Sequence, residues 1–170
     1  MSATESGLKA GDAFPEGVKF SYVPPTGDLN LQVCGLPTVY DASNEFKTKK
    51  VVLVAVPGAF TPTCSEKHLP GYIAKLPEFK EAGVQQVIFI ASNDVFVMSA
   101  WAKVYGIKDD SILFMTDTDL AFSKSIGWVQ GERTQRYAII VDHGKVVYAD
   151  RETVRGSLEK TGADAVLSKL

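Results

Sequence analysis

Cysteine and histidine are scarce in this chain, which has only two of each among its 170 residues. Two cysteines are too few for a disulfide framework and argue instead for redox chemistry, with two inert thiols as the simpler alternative. Cys34, Cys64, His68 and His143 are also too scattered to form the close pairs typical of a zinc site. Neither Gly-x-Gly-x-x-Gly nor a nucleotide-binding glycine loop is present. We therefore expect no metal and no cofactor.

The chain also lacks an excess of either charge, since 18 basic and 20 acidic residues leave a net charge of -2. This balance gives no electrostatic reason to expect binding to nucleic acid or to an anionic membrane, and it favours a small neutral substrate. The longest apolar run, near Val51 to Phe60, is interrupted by Pro57 and Gly58 and is too short to span a bilayer. The amino-terminal segment has no basic region followed by an apolar one, so we expect no secretory signal.

Apolar segments of strand length alternate with helical segments along the chain, which predicts a mixed sheet covered on both faces. No linker or internal repeat divides the sequence, so we expect one α/β domain over residues 1–170. A turn at residues 24–28 joins two predicted strands that could form a hairpin, and Asp142-His143-Gly144 closes a second hairpin. Strands are predicted at residues 18–23, 29–33, 50–56, 84–92, 112–115, 136–141 and 145–148, and the main helices at about 64–76, at 95–105 and at the carboxyl end.

The stretch from residue 57 to 68, PGAFTPTCSEKH, joins a buried strand to the start of a helix. Its Thr63-Cys64-Ser65-Glu66 segment fits a capping box, which would put Cys64 in the first helical turn. Unpaired amides and the positive end of the helix dipole stabilise a thiolate there, so we expect Cys64 to be reactive. Pro70 lies inside the predicted helix and should kink it.

Pro57, Thr61 and Cys64 form the pattern P-x-x-x-T-x-x-C, and in this motif the sequence resembles the peroxiredoxins. It is most similar to the type II, or peroxiredoxin-5-like, subfamily in its fungal branch of peroxisomal and alkyl hydroperoxide reductase proteins. The resemblance implies a thioredoxin fold with the peroxiredoxin insertions, in which helices flank a central mixed sheet. It covers nearly the whole chain, including PGAFTPTCSEKHLPGY at 57–72, SNDVFVMSAWAK at 92–103 and RTQRYAIIVDHGKV at 133–146.

This resemblance also implies a function, that of a thiol peroxidase reducing hydrogen peroxide and alkyl hydroperoxides through a sulfenic acid at Cys64. Thr61 is expected to place its hydroxyl beside the sulfur and the peroxide oxygen. Arg136 matches the active-site arginine of the family, whose fork of donors can contact thiolate and peroxide together. Pro57 completes the catalytic set. Three further residues are expected to line the substrate pocket: Gly58, Phe60 and His68, the last as a lining residue rather than a base.

Cys34 precedes Gly35-Leu36-Pro37, a combination that predicts a loop with a reachable thiol. In the fungal relatives a cysteine in the corresponding loop resolves the sulfenic acid across a dimer, and the resemblance gives that role to Cys34. Alternatively, Cys34 is a bystander, and glutathione or another external thiol resolves Cys64 directly. Either scheme needs thioredoxin, or glutathione with glutaredoxin, as the reductant. The resemblance also implies a homodimer, to which Phe96, Trp101 and Trp128 could contribute if they are not core residues.

Two further features bear on location and on competing functions. Ser168-Lys169-Leu170 is the peroxisomal address, which predicts recognition by the import receptor, although a share of the protein could also remain cytosolic. The alternative is a terminal helix whose last leucine packs on the core. A redox sensor that passes oxidation to a client protein is the competing function. A thioredoxin-like exchanger is disfavoured because Thr61 stands where the first cysteine of C-x-x-C would be.

Overall fold

A mixed β-sheet crosses the structure, a computed structural model that describes residues 7–170. The strands are β1 (Lys19–Tyr22), β2 (Thr38–Asp41), β3 (Lys50–Ala55), β4 (Gln86–Ala91), β5 (Leu113–Thr116), β6 (Val129–Gln130), β7 (Arg133–Thr134), β8 (Tyr137–Asp142) and β9 (Lys145–Arg151). The helices are α1 (Ala42–Glu45), α2 (Leu69–Ala74), α3 (Leu76–Glu81), α4 (Val95–Val104), α5 (Ala121–Ser125) and α6 (Ala163–Leu167), with a π-helical turn at Cys64–His68 and a 3₁₀ turn at Thr118–Leu120.

Seven of the strands form the main sheet in the order β2-β1-β5-β4-β3-β8-β9. Strands β3, β4 and β5 are parallel, whereas β8 and β1 add to the two sides of this trio in the antiparallel direction. The two parallel crossovers contain α2 with α3 and then α4, so helices connect the strands as parallel pairing requires. The predicted mixed sheet flanked by helices is confirmed.

The central strand β3 is buried on both faces because its residues alternate between two apolar cores. Val51, Leu53 and Ala55 pack in the core that contains Phe46. Val52 and Val54 belong to the core on the other face, which contains α2, α4 and α6. An uninterrupted apolar run is expected for a strand covered on both sides. Packing on both faces therefore fixes the position of the carboxyl end of β3 and of the start of the loop that follows it.

The strand predicted at residues 29–33 is absent, and the hairpin predicted with it is wrong. This segment is an exposed loop, in which Leu31 is 58% exposed. Asp28 accepts a hydrogen bond from the Asn30 amide, and the Asn30 side chain accepts one from the Gln32 amide. Such local side-chain bonds compete with strand pairing. The outer neighbour of β1 is instead β2, which pairs with it in the antiparallel direction.

The second predicted hairpin is confirmed, with β8 and β9 joined by His143 and Gly144. Both linking residues have positive φ, 49° and 81°, as the tight hairpin turn requires. For Trp101 and Trp128 the sequence left an interface and the core as alternatives, and the structure places both in the core. Phe96 is exposed, so it alone of the three is available to a partner.

Within residues 7–170, no helix has the length and apolar character needed to cross a membrane.

Candidate active site

The loop between β3 and the Cys64 helix is held where the carboxyl ends of β3 and β4 meet. The Asn93 side chain, just beyond β4, accepts a hydrogen bond of 2.8 Å from the Ala59 amide. The Thr134 hydroxyl, buried in β7, donates to the Val56 carbonyl at 3.0 Å. In open α/β sheets, this edge is where ligands bind. Asn93 and Thr134 lie in the stretches 92–103 and 133–146 that carried the resemblance, but sequence reasoning gave neither of them a role.

Within this loop, Thr61 donates its hydroxyl proton to the Gly58 carbonyl at 2.6 Å. That bond leaves the lone pairs of the hydroxyl oxygen facing away from the loop backbone, able to accept another hydrogen bond. A Cβ atom at Gly58 would lie 3.0 Å from Thr61 Cγ2 and 3.7 Å from Arg133 Nη1, so a larger residue would displace Thr61. Phe60 takes a positive φ of 58° and is 53% exposed.

The helix begins earlier than the predicted capping box requires, at Pro62. Residues 62 and 63 are already helical, and Thr61 offers its carbonyl to the Ser65 amide at 2.9 Å. Thr63 has helical φ and ψ and makes no side-chain cap bond, so the capping-box prediction is wrong. Proline is favoured at the first helical position because its φ is preset and its missing donor is not needed there. Cys64 still lies in the first turn, as predicted.

From Cys64 to His68 the helix forms a π turn, and the Leu69 amide donates to the Cys64 carbonyl. The helix changes type just before Pro70, the residue at which a kink was expected, and Pro70 has no amide to continue an α-helical ladder. Helix α4 braces the turn at Ser65: Trp101 Nε1 donates to the Ser65 hydroxyl at 3.0 Å, and the Tyr105 hydroxyl donates to its carbonyl. π turns recur at functional sites.

Arg136 joins Cys64 and His68 at the centre of the site. One guanidinium nitrogen, Nη2, donates to Cys64 Sγ at 3.2 Å, and the other, Nη1, donates to His68 Nδ1 at 2.7 Å. Both Cys64 and Arg136 are buried, at 1% and 8% exposure. His68 Nε2 lies 2.9 Å from the Thr161 carbonyl, which can only accept, so Nε2 carries the proton. This tautomer leaves Nδ1 free to accept from Arg136.

His68 supports Arg136 from behind and does not line a substrate pocket. It is 1% exposed, and burial together with the neighbouring Arg136 charge lowers its pKa to about 3. The imidazole is therefore neutral at physiological pH, which matches its role as an acceptor. The expected pocket-lining position is wrong because the ring lies behind Arg136, between the Thr161 carbonyl and Tyr72. The Tyr72 hydroxyl donates to the same Thr161 carbonyl at 2.7 Å.

An open cavity of about 790 Å³ lies in front of Cys64. It brings together Pro57, Thr61, Cys64 and Arg136, the four residues that the P-x-x-x-T-x-x-C motif and the arginine match predicted. Among the described residues, its wall includes neither Gly58 nor Phe60 nor His68, which sequence reasoning expected there. The remaining wall comes from residues 62–63, 130, 133, 135 and 151–156, a set without a local motif.

Cys34 lies away from this cavity. Its loop packs near α4, where Cys34 lines a smaller cavity of about 190 Å³ that shares no residue with the first. Cys34 is exposed, as predicted, and both cysteines are free thiols. Within residues 7–170, no three histidine, cysteine or acidic side chains are grouped as metal ligands would be.

Comparison with known proteins identifies the family of the chain. The Redoxin family model matches residues 9–167. Peroxiredoxin AHP1 of Chaetomium thermophilum is 63% identical over 163 residues, which cover 96% of this chain and 95% of that protein. Peroxiredoxin Pen c 3 of Penicillium citrinum is 54% identical, over 96% of this chain and 99% of that one.

Solved structures give the same result for the fold. Reduced Prx3 from Vibrio vulnificus in complex with hydrogen peroxide is 36% identical, with a TM-score of 0.79 over 95% of this chain and 94% of that one. Peroxiredoxin 5 from Alvinella pompejana is 26% identical, with a TM-score of 0.76 over 95% of this chain and 97% of that one. The chain therefore belongs to the Redoxin family as a peroxiredoxin, that is, a thiol-dependent peroxidase.

Proposed function

We propose that Cys64 is the nucleophile of this peroxidase and that Arg136 activates it. The contact of 3.2 Å between Arg136 Nη2 and Cys64 Sγ supports this role most directly, because a buried guanidinium stabilises a thiolate. The thiolate attacks the terminal oxygen of a hydroperoxide, and the O–O bond breaks. Two electrons pass from sulfur to the peroxide, giving Cys64 sulfenic acid and an alkoxide, or hydroxide from hydrogen peroxide, which then takes up a proton.

The other motif residues would orient the peroxide. Thr61 can accept a hydrogen bond from the hydroperoxide O–H, because its own proton is held by the Gly58 carbonyl. Pro57 closes the cavity wall beside it. Gly58 leaves the room that Thr61 needs, while His68 fixes the plane of the Arg136 guanidinium. Hydrogen peroxide and alkyl hydroperoxides are the proposed substrates, and the Vibrio relative solved with hydrogen peroxide supports the first of these.

We assign the resolving step to Cys34 of a second copy of the chain. The Cys34 thiol condenses with the Cys64 sulfenic acid, forming the disulfide and releasing water. Cys34 is exposed on a loop, whereas Cys64 is almost fully buried. The two cavities that these cysteines line share no residue, which favours a disulfide between chains in a homodimer. Thioredoxin, or glutathione with glutaredoxin, would then reduce the disulfide.

One equivalent of tert-butyl hydroperoxide added to the reduced protein tests these assignments. We expect a covalent dimer on nonreducing electrophoresis and, in intact mass, the loss of two hydrogens per disulfide. Cys34→Ser should stop at a monomer carrying one added oxygen, and Cys64→Ser should show neither product. The two variants are matched controls because each removes one thiol and keeps a hydroxyl of similar size.

Other products would contradict specific parts of the proposal. A disulfide within one chain would reject the route between chains. A covalent dimer that persists in Cys34→Ser would remove Cys34 from the resolving step. Oxygen addition to Cys64→Ser at the wild-type rate would reject Cys64 as the nucleophile.

We further propose that the protein is imported into peroxisomes. One relative, 45% identical, is named a putative peroxisomal peroxiredoxin, from Lipomyces kononenkoae. Ser168 and Lys169 of the Ser168-Lys169-Leu170 tripeptide are exposed, while Leu170 is partly buried against the core. A fluorescent protein fused to the amino terminus of the chain should collect in peroxisomes and become diffuse when the three residues are deleted. A diffuse distribution of the intact fusion would contradict the proposal.

A further inference from the structure

The cavity in front of Cys64 contains every arginine of the chain. Four arginines and 14 lysines make up the 18 basic residues of the sequence. Arg133, Arg136, Arg151 and Arg155 all line this cavity, and none of the lysines does. All 14 lysines lie outside this cavity, so the arginines are confined to one site. Arginine differs from lysine chiefly in its planar fork of donors, which matches a carboxylate or phosphate with two parallel hydrogen bonds.

The charges of these arginines are not balanced by carboxylates. Within residues 7–170, none of the four forms a salt bridge. Arg151 donates to the neutral Gln135 side chain at 2.8 Å. Among residues 7–170, Glu152 is the only acidic residue that lines this cavity. The cavity lining therefore carries four positive charges and one negative charge, although the whole chain has a net charge of -2.

Glu152 is occupied by the neighbouring loop. Its Oε1 accepts hydrogen bonds from the Lys160 amide at 2.7 Å, from the Thr161 amide at 2.9 Å and from the Thr161 hydroxyl at 3.1 Å. These bonds hold its carboxylate toward residues 160–161 and leave the arginine charges available to a ligand.

The cavity is also far larger than hydrogen peroxide needs. Its volume of about 790 Å³ falls in the range of about 300–1,000 Å³ typical of sites for organic ligands, whereas a water molecule occupies about 30 Å³ of liquid. Arg136 is committed to Cys64 and His68. Arg133 lies beside the reaction centre, near Gly58 and Thr61, and Arg155 lies on the exposed part of the wall. A ligand that reaches from Cys64 to these arginines would need an anionic group some distance from its peroxide.

We propose that the cavity selects organic hydroperoxides that carry a carboxylate. Arg133 and Arg155 would bind the carboxylate, while the hydroperoxide group meets Cys64 and Thr61. The chemical step is the one given above, with two electrons passing from sulfur to the peroxide and the carboxylate unchanged. This inference rests on the proposed function of Cys64. It adds a preferred anionic organic substrate to the small neutral one expected from the net charge.

A substrate pair that differs only in charge tests the proposal: the hydroperoxide of linoleic acid and the hydroperoxide of its methyl ester, both kept below micelle-forming concentrations. The second-order rate constant for oxidation of reduced protein is measured by stopped flow with no reductant present. We expect the acid to react about tenfold faster than the ester at low ionic strength, because the cavity attracts the anion. Added salt should bring the ratio toward one, since it screens the exposed arginines.

Variants identify the residues responsible. Arg155→Gln and Arg133→Gln should each lower the ratio of acid to ester about threefold to fivefold, as expected for the loss of one partly exposed charge. Arg155→Lys should keep the salt dependence and lose part of the ratio, because it retains the charge but not the fork. Lys124→Gln is the matched control: Lys124 is exposed in α5, outside the cavity, and its loss changes the net charge equally.

The outcomes separate this proposal from the one on which it rests. A ratio of one or less in the wild-type protein, with hydrogen peroxide still reacting rapidly, would reject carboxylate selection alone. An equal fall of the ratio in Lys124→Gln would assign the effect to net charge and also reject the site. If salt and Arg155→Gln affected only turnover with glutathione, the arginines would bind the reductant and the proposal would be wrong. Failure of Cys64 to react with any hydroperoxide would instead reject its role as the nucleophile.

Discussion

Replacing Arg136 with glutamine should slow the oxidation of Cys64 by hydrogen peroxide by about a hundredfold to a thousandfold, the usual cost of losing one donor that stabilises charge in a transition state. Arg136 has two tasks, since it donates to Cys64 Sγ and to His68 Nδ1 with different nitrogens. Glutamine removes the positive charge and cannot reach both atoms with parallel donors. The thiolate and the departing oxygen both lose their stabilising partner. Stopped-flow measurement of the rate constant, without reductant, reports this step directly.

Arg136→Lys separates charge from geometry. Lysine keeps the positive charge but can place a single ammonium near either Cys64 or His68, so we expect a loss intermediate between the wild type and Arg136→Gln. Thr61→Val should also slow the reaction and Thr61→Ser should largely restore it, because only the hydroxyl can accept from the peroxide. Circular dichroism and thermal unfolding of each variant check that it is folded. A wild-type rate in a folded Arg136→Gln protein would remove Arg136 from the mechanism.

His68→Gln should produce the second large effect, on stability and on its dependence on pH. The pKa of His68 is about 3 in the folded protein and near the ordinary 6.5 in the unfolded chain. Above pH 6.5 the ring is neutral in both states, and its contribution to stability is complete. Below that pH the unfolded chain binds a proton that the folded protein excludes, so stability falls by about 1.4 kcal/mol per pH unit until pH approaches about 3.

The glutamine variant has no titrating group at this position, so it should lack that part of the acid sensitivity. At neutral pH we expect His68→Gln to unfold with a free energy about 1–3 kcal/mol lower than the wild type. The flexible amide does not hold an acceptor and a donor where Nδ1 and Nε2 meet Arg136 and Thr161. Between about pH 7 and pH 4.5 this difference should shrink by about 2–3 kcal/mol. Urea unfolding at the two pH values measures it. Parallel pH profiles for the two proteins would show that His68 is not held neutral by burial.

The parts of the fold and site that sequence reasoning found are those encoded locally. An unbroken apolar run predicts strand β3, and Asp142-His143-Gly144 predicts the hairpin of β8 and β9. Cys64 is part of a motif eight residues long. Arg136 is distant from Cys64 in sequence, and it was found only through the resemblance. Its position beside Cys64 depends on β8 pairing with β3, a long-range contact that periodicity cannot specify.

The errors also have physical causes. The strand predicted at residues 29–33 failed because Asp28 and Asn30 bond to nearby amides, which outweighs a modest apolar pattern. His68 was expected at the pocket because a residue four positions from Cys64 shares its face on a helix. It does share that face, since both side chains contact Arg136, but the ring lies deeper, against the Thr161 carbonyl. The positive charge of the cavity was not predicted, because the net charge is a sum over the whole chain and does not show where the fold brings like charges together.

The π turn at Cys64–His68 has a further consequence, for the timing of oxidation. Cys64 is 1% exposed, so its sulfenic acid must leave the closed helix before another thiol can reach it. The segment that must open is short, because α2 ends at Ala74 and a separate helix, α3, begins at Leu76. Opening also requires Ser65 to give up its hydrogen bonds with Trp101 and Tyr105. Short segments open locally at far lower cost than global unfolding. The longer the turn stays closed, the longer the sulfenic acid is kept from the resolving thiol. The rate of opening should therefore determine how often a second peroxide oxidises the sulfur irreversibly to sulfinic acid before a disulfide forms.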